Sequence, residues 1–292
     1  MAPAKPAEAA AVKVDAAAMQ RDMMKNLALR LGLPIAGVWL FAAFFNKPWA
    51  YILAGVLTVA AGGLMAWGWN RVNKSRKVAD ILQSVDATSK EGRQQALERL
   101  AAANLGKDDV GATLARAQLK MQDDPETAMT ELESIDLAKI LPAEADQVRF
   151  QRAMLHLHRG ETERARALVD PIDLKRHQDA KQRALMAAVV AEAWARTGQA
   201  KKGMELLDLY KADDPDLAEI RPQIWRARAF GAASLNDMKA MKHALRTLAA
   251  ENPQYLGVFV QKKVHPLLMQ EAKAILMKSG AMAMPKQRVR YR

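Results

Sequence analysis

The chain has 292 residues, half of them hydrophobic, and sets 44 Lys and Arg against 32 Asp and Glu, a net charge of +12. It has no cysteine, which excludes disulfide frameworks, thiolate zinc sites, iron–sulfur clusters and cysteine nucleophiles. Few aromatic and β-branched residues, with abundant Ala, Leu, Met, Arg, Gln and Lys, predict an all-α fold.

The excess charge is unevenly placed. Residues 1–30 contribute +2, and Lys47 stands alone among residues 31–70. Arg71, Lys74, Arg76 and Lys77 add +4, and Lys278, Lys286, Arg288, Arg290 and Arg292 add +5. Residues 78–277 are therefore neutral overall, and the high pI gives no ground for a nucleic-acid partner. Arg71, Lys74, Arg76 and Lys77, with Lys286, Arg288, Arg290 and Arg292, are candidate contacts for anionic lipid or an acidic partner; a solvated tail is the other reading.

In chain order, residues 1–26 read as a flexible arm, Ala- and Pro-rich at first and partly helical from Ala16. Residues 27–70 read as a transmembrane helical hairpin. Residues 31–45 carry no charge and extend to Leu27 if Arg30 snorkels. Residues 49–69 are also uncharged. Each run is long enough to cross roughly 30 Å of hydrocarbon as a helix, and Asn46-Lys47-Pro48 forms the turn between them. Trp49, Tyr51, Trp67 and Trp69 fall near the ends of the second run, where amphipathic rings favour the interface. The first run begins late and a second follows closely, unlike a cleaved signal peptide.

Ala50, Ala54, Thr58, Gly62 and Ala66 recur every fourth residue and put small side chains on one helix face. That face packs on the first span or on a second copy, giving a homo-oligomer. Basic flanks on both sides of the hairpin predict that both termini face the cytoplasm. The expected setting is a bacterial inner membrane.

From residue 71 to 279 the pattern is helix, short break, helix. The sequence predicts hairpins at 72–86 with 90–104, 108–121 with 125–135, 143–159 with 161–170, 179–197 with 199–211, and 222–235 with 237–251. The helix at 72 is expected to run on from the second span. Thr88 to Glu91 fits a capping box, and Asp124-Pro125-Glu126 a capped helix start. A last helix over 255–278, kinked or started by Pro266, would cap the array. Residues 280–292 form a basic tail.

The spacing indicates a repeat. Gly160, Gly198 and Asn236 are each 38 apart, as are Ala115, Ala153, Ala191 and Ala229, and Val169, Leu207 and Leu245. Pro215 and Pro253 keep the same interval. Such a period means a stacked array. The segment Ala191 to Pro215, with Trp194, Gly198, Gly203 and Leu207, resembles a tetratricopeptide repeat. The units at Ala153, Gly160, Ala165 and Val169 and at Trp225, Ala229, Met241, Leu245 and Pro253 follow it. The period exceeds the family's 34 or so, with the extra residues around Asp170–Asp179 and Asp213–Pro222. Arg149, Arg152 and Arg228 stand where the family is usually apolar.

The resemblance implies a TPR-like α-solenoid of about five helix pairs whose concave face, lined by the first helix of each pair, holds a peptide or partner helix. Carried over position by position, it names Gln147, Met154, His158, Glu192, Arg196, Gln223, Arg226 and Phe230 as groove candidates. Trp194 and Trp225 are expected in the core. Membrane-bound TPR proteins of bacteria have a similar layout; one such family adds a Cys-rich metal module, which this chain lacks.

No phosphate-binding, nucleophile-elbow or zinc-protease motif is present. His156 and His158 point to different faces, and the other histidines have no acids at ligand spacing, so no metal, no cofactor and no catalytic residue is expected. The sequence thus reads as a membrane-anchored protein–protein interaction scaffold, or as an assembly subunit of a larger membrane complex that docks through its hairpin.

Overall fold

The computed structural model describes residues 48–86, 89–103, 109–121, 123–261 and 264–280. All regular structure among them is helical, with eleven α-helices and three 3₁₀ helices, so the fold is all-α. The chain divides into two units, Met1–Lys77 and Val78–Arg292. The arm, the first uncharged run, Thr88 and the basic tail after Gly280 lie outside the described residues.

Helix α1, Pro48–Gln83, begins in the first unit and is unbroken, so the second uncharged run and the segment after residue 72 share one helix. Pro48 opens it, where a missing N–H costs nothing. Val56 and Val59 are 61% and 77% exposed, and Leu57 and Trp69 are exposed too. A Cβ on Gly55, Gly62 or Gly63 would meet nothing within 4 Å. Among the described residues no helix is long and apolar enough to cross a membrane. Ile52, Leu53, Leu64 and Met65, which supply much of the run's apolar character, have side chains outside the described set, as do Ala50, Ala54 and Arg71.

The second unit starts with the end of α1. Val78, Ile81, Leu82 and Val85 pack with Ala96 and Leu100 of α2 (Lys90–Ala102) and with Ala112, Ala115 and Leu119 of α3 (Val110–Lys120). Ser89, not Thr88, caps α2, its hydroxyl accepting the Gly92 N–H at 3.0 Å. Arg93 reaches from α2 to both oxygens of Asp123 at 2.8 Å, holding that carboxyl below the usual carboxylate range.

Eight further helices follow: α4 (Pro125–Glu133), α5 (Pro142–Arg159), α6 (Thr162–Val169), α7 (Ala180–Arg196), α8 (Ala200–Leu207), α9 (Arg221–Ser234), α10 (Met238–Glu251) and α11 (Pro266–Lys278). From α2 to α11 every helix touches its successor, and α5, α7, α9 and α11 also touch in series. Packing is thus local along the chain, as in repeat arrays. Asp124 caps α4 with Pro125 at its first position.

The 38-residue register has a backbone cause. Gly160, Gly198 and Asn236 all adopt left-handed φ, at 73°, 86° and 57°. After each, the next N–H bonds back across the turn: Glu161 to His156 O at 2.8 Å, Gln199 to Trp194 O at 2.8 Å and Asp237 to Ala232 O at 2.9 Å. One C-terminal motif therefore closes α5, α7 and α9 and reverses the chain. Ala115, Ala153, Ala191 and Ala229 are buried, as are Val169, Leu207 and Leu245. A Cβ on Gly203 would fall 2.8 Å from Ala191 O, so α7 and α8 approach closely there.

The residues beyond a regular repeat form short 3₁₀ linkers, Leu174–Arg176 and Pro215–Ile220. The single helix expected over 255–278 divides instead into a 3₁₀ segment, Pro253–Val260, and α11, which Pro266 starts. Leu256, Phe259, Leu268, Ala272 and Leu276 join Phe230, Leu245 and Leu248 in one core, so this end of the array is covered.

Candidate functional site

The first helices of successive pairs share a face. On it, between α5, α7 and α9, lies a cleft of about 400 Å³. Its floor is apolar: Met154, Leu155 and Leu157 from α5, Ala188 and Val189 from α7, with Met121 and Pro125 at one end. Its polar groups are His158, Glu192, Gln223 and Arg226. These follow from helix geometry, since Met154 and His158 are one turn apart on α5, as are Gln223 and Arg226 on α9.

Glu192 is the electrostatic centre. It is 4% exposed, and its Oε1 accepts from Arg196 Nη1 at 3.0 Å and from Arg226 Nη2 at 2.9 Å. Arg226 Nε also lies 2.8 Å from Glu192 Oε2, so guanidinium and carboxylate form a two-point ion pair. A buried carboxylate needs such partners, because an unpaired charge in low dielectric costs several kcal/mol. Arg196 is itself buried, donating also to Leu157 O at 3.0 Å and lying 4.7 Å above the Phe230 ring. Arg226 keeps 29% of its side chain exposed and faces the cleft.

Of the eight groove candidates, the cleft brings together Met154, His158, Glu192, Gln223 and Arg226. Arg196 stands behind Glu192, away from solvent. Phe230 is 3% exposed and packs on Phe259 with centroids 5.1 Å apart, in the core rather than the groove. The segment Pro253–Val260 covers it, which the repeat register alone does not reveal. Gln147 accepts from Gln182 Nε2 at 2.7 Å and lines a separate cavity of about 260 Å³ with Val110, Leu114, Glu144 and His177.

Other candidates fall elsewhere. Thr58, Gly62 and Ala66 lie on α1, and Gly62 and Ala66 are exposed. Lys74, Arg76 and Lys77 follow on the same helix; Lys286, Arg288, Arg290 and Arg292 lie outside the described residues. Trp194 and Trp225 are partly buried; Trp194 donates to Asp170 Oδ1 at 2.7 Å and carries Lys202 over its ring. Trp225 meets His243 edge-on. Among the described residues no group of three or more His, Asp or Glu is placed to hold a metal ion.

Sequence reasoning missed two features. Asp146, fully buried, accepts from Arg149 and Arg176, both at 3.0 Å, and ties the linker before α7 to α5. Its only local signal is Arg149 three residues on. Arg152 and Arg228 fill apolar repeat positions because each reaches carbonyls at the end of an earlier helix: Leu132 and Ile135 for Arg152, Leu207 for Arg228. Compared with known proteins, the chain matches no family model, no curated protein and no solved structure.

Proposed function

We propose that the chain is a membrane-anchored protein–protein interaction scaffold. In this reading a hairpin over residues 27–70 holds it in the bilayer, and a TPR-like array presents its cleft to the cytoplasm. The observation that carries the binding half is the cleft of about 400 Å³ on the face shared by α5, α7 and α9. An apolar floor with a few convergent polar groups suits a side chain of an extended peptide or partner helix. The anchor rests on the sequence: a helix over the uncharged run 49–69 measures about 31 Å, and residues 27–45, with Arg30 free to snorkel, form a second run of about 28 Å.

The cysteine-free chain makes the test clean. A photo-crosslinking residue at Gln223, on the exposed rim, should capture a protein that the same group at exposed Lys139 does not. Equal capture at both removes the cleft from recognition. A single cysteine at Lys47 should be labelled by an impermeant reagent from outside the cell, and one at Lys139 only after lysis. The opposite pattern, or full-length protein released from membranes by carbonate, overturns the anchor.

A second reading makes the chain an assembly subunit of a larger membrane complex. Gly62 and Ala66, exposed and one turn apart on α1, favour it, since small side chains on one face let another helix approach closely. Moving residues 78–292 onto an unrelated anchor preserves function under the first reading and abolishes it under this one.

A further inference from the structure

The cleft continues into a second cavity. The space of about 260 Å³ beside Gln147 lies on the same helices, nearer their N-termini. Three helices running in the same sense serve both. Leu114 of α3, Gln147 of α5 and Gln182 of α7 line the second cavity. Met121, the residue capping α3, Met154 of α5 and Val189 of α7 line the cleft. Each of these pairs is seven residues apart, so its members share a helix face and stand about 10.5 Å apart along the axis. A bound α-helix repeats its own face at that interval, between positions i and i+7, whereas one face of an extended strand repeats at about 6.7 and 13 Å.

The two cavities ask for different chemistry. The cleft floor is apolar. The second cavity is walled by Val110 and Leu114 but carries Gln147, Gln182, Glu144 and His177. Gln182 Nε2 donates to Gln147 Oε1 at 2.7 Å, which leaves the Gln147 amide nitrogen as donor and Gln182 Oε1 as acceptor. His177 is 6% exposed and its buried Nε2 makes no hydrogen bond; Asp146 Oδ2, 3.9 Å away, is out of reach. A buried polar atom without a partner is costly, and a ligand that supplies one gains that energy. A carboxamide carries both an acceptor and donors, so it meets His177 in either tautomer and the two glutamines together. Charge points the same way: buried Glu192 is matched by Arg196 and Arg226, and buried Asp146 by Arg149 and Arg176. With these carboxylates matched, an uncharged face complements the groove.

We propose that the two cavities form one groove for a partner helix whose inward face is uncharged, with a large aliphatic side chain in the cleft and, two turns away, an Asn or Gln side chain in the second cavity. The proposal rests on reading the cleft as a protein-binding groove.

The test uses purified full-length protein and fluorescein-labelled, hydrocarbon-stapled peptides of about twenty residues, helical in water. A Leu and a test residue stand seven positions apart, in either order, and the test residue is Gln, Leu, Glu or Lys. A second set moves the pair to five apart, off one face, and a third breaks the helix with prolines. By fluorescence anisotropy Gln at the seven-residue spacing should bind roughly fivefold tighter than Leu, Glu or Lys, the scale of one net hydrogen bond, and the other two sets should lose that gain. Gln147→Leu should remove the preference for Gln over Leu, while Met154→Gln should weaken every peptide. Circular dichroism of each variant separates loss of binding from loss of fold.

Equal binding whatever the test residue overturns the carboxamide assignment and leaves the groove reading standing. Tightest binding by the Lys peptides assigns the second cavity to a cation beside Glu144 and overturns it too. Proline-broken peptides that bind as well as the helical ones overturn the helical partner, again with the groove reading intact. Absence of binding by every peptide at millimolar concentration overturns the proposal and the groove reading together. If Gln147→Leu unfolds the chain, Gln182→Leu decides: the Gln preference should fall, and an unchanged preference overturns the proposal.

Discussion

Arg152 offers a direct measure of how the array is held together. Its Nε and Nη2 donate to Leu132 O, and Nη2 also reaches Ile135 O at 2.9 Å, so one guanidinium closes the C-terminal end of α4. Burial lowers its pKa, with nearby Glu133 opposing and Arg149 adding to the effect. Arg152→Met keeps the aliphatic stem and removes the donors. Leu132 O retains the Ile135 N–H at 3.2 Å, so the loss falls mainly on Ile135 O. A hydrogen bond to a charged donor contributes about 1.5–3 kcal/mol, and removing the buried charge returns part of that. The net cost should be about 2 kcal/mol, which for a unit of this size lowers Tm by about 4–8 °C.

Arg228, two repeats on, supplies the control. It donates to Leu207 O at 3.0 Å and to Asp208, whose side chain is 67% exposed. Arg228→Met should therefore cost about 1 kcal/mol, since exposed ion pairs contribute little. Urea denaturation followed by circular dichroism gives both values, and amide exchange locates the first: protection should fall around residues 130–136. The reasoning fails if Arg152→Met matches the parent within about 0.5 kcal/mol, or if Arg228→Met costs more, because the carbonyl contacts then carry no weight.

Removing Glu192 should be more damaging than removing the exposed Asp208 beside Arg228: Glu192→Ala leaves buried Arg196 uncompensated and should cost about 3–5 kcal/mol, whereas Glu192→Gln keeps the shape and costs less in the same denaturation assay. Gly198 sits at φ 86°, so Gly198→Ala should destabilise by about 1 kcal/mol. Asn236→Gly, at φ 57°, should stay within about 0.5 kcal/mol of the parent. His156 at 2.7 Å and Arg164 hold the Glu161 carboxyl below its usual range. A depressed carboxyl stabilises the fold above its unfolded pKa, so the Tm gap between the parent and Glu161→Gln should be present at pH 6 and close as pH falls below about 4.3.

What the sequence revealed depended on whether the cause was local. The turns at Gly160, Gly198 and Asn236 were legible because positive φ restricts residue type, and the prolines at 125 and 266 mark helix starts for a similar reason. Except for the helix expected over 199–211, which ends at Leu207, and the one expected over 255–278, which starts only at Pro266, helix limits in the second unit lie close to those expected, since alternating caps and apolar runs are also local signals. Buried Asp146 was not legible: its partner Arg176 is thirty residues away, on a linker whose path no short motif encodes. Arg152 and Arg228 looked like departures from an apolar pattern, because the carbonyls they serve belong to earlier helices.

The groove positions separate these two cases. Met154, Glu192 and Phe230 are spaced by 38 and occupy one repeat position. Their surroundings differ in order along the array. Met154 is partly exposed on the cleft floor, Glu192 is buried but paired with an arginine that faces the cleft, and Phe230 is closed in by Phe259. The same backbone position thus passes from surface to core as the C-terminal segment approaches. Residue type follows that gradient, from a flexible apolar side chain to a clamped charge to an aromatic ring, because each must satisfy a different neighbour. A repeat register therefore transfers packing positions reliably, since these contact the unit itself. It transfers surface positions only where the next pair has the same reach, and α11 with its 3₁₀ lead-in breaks that condition at Phe230.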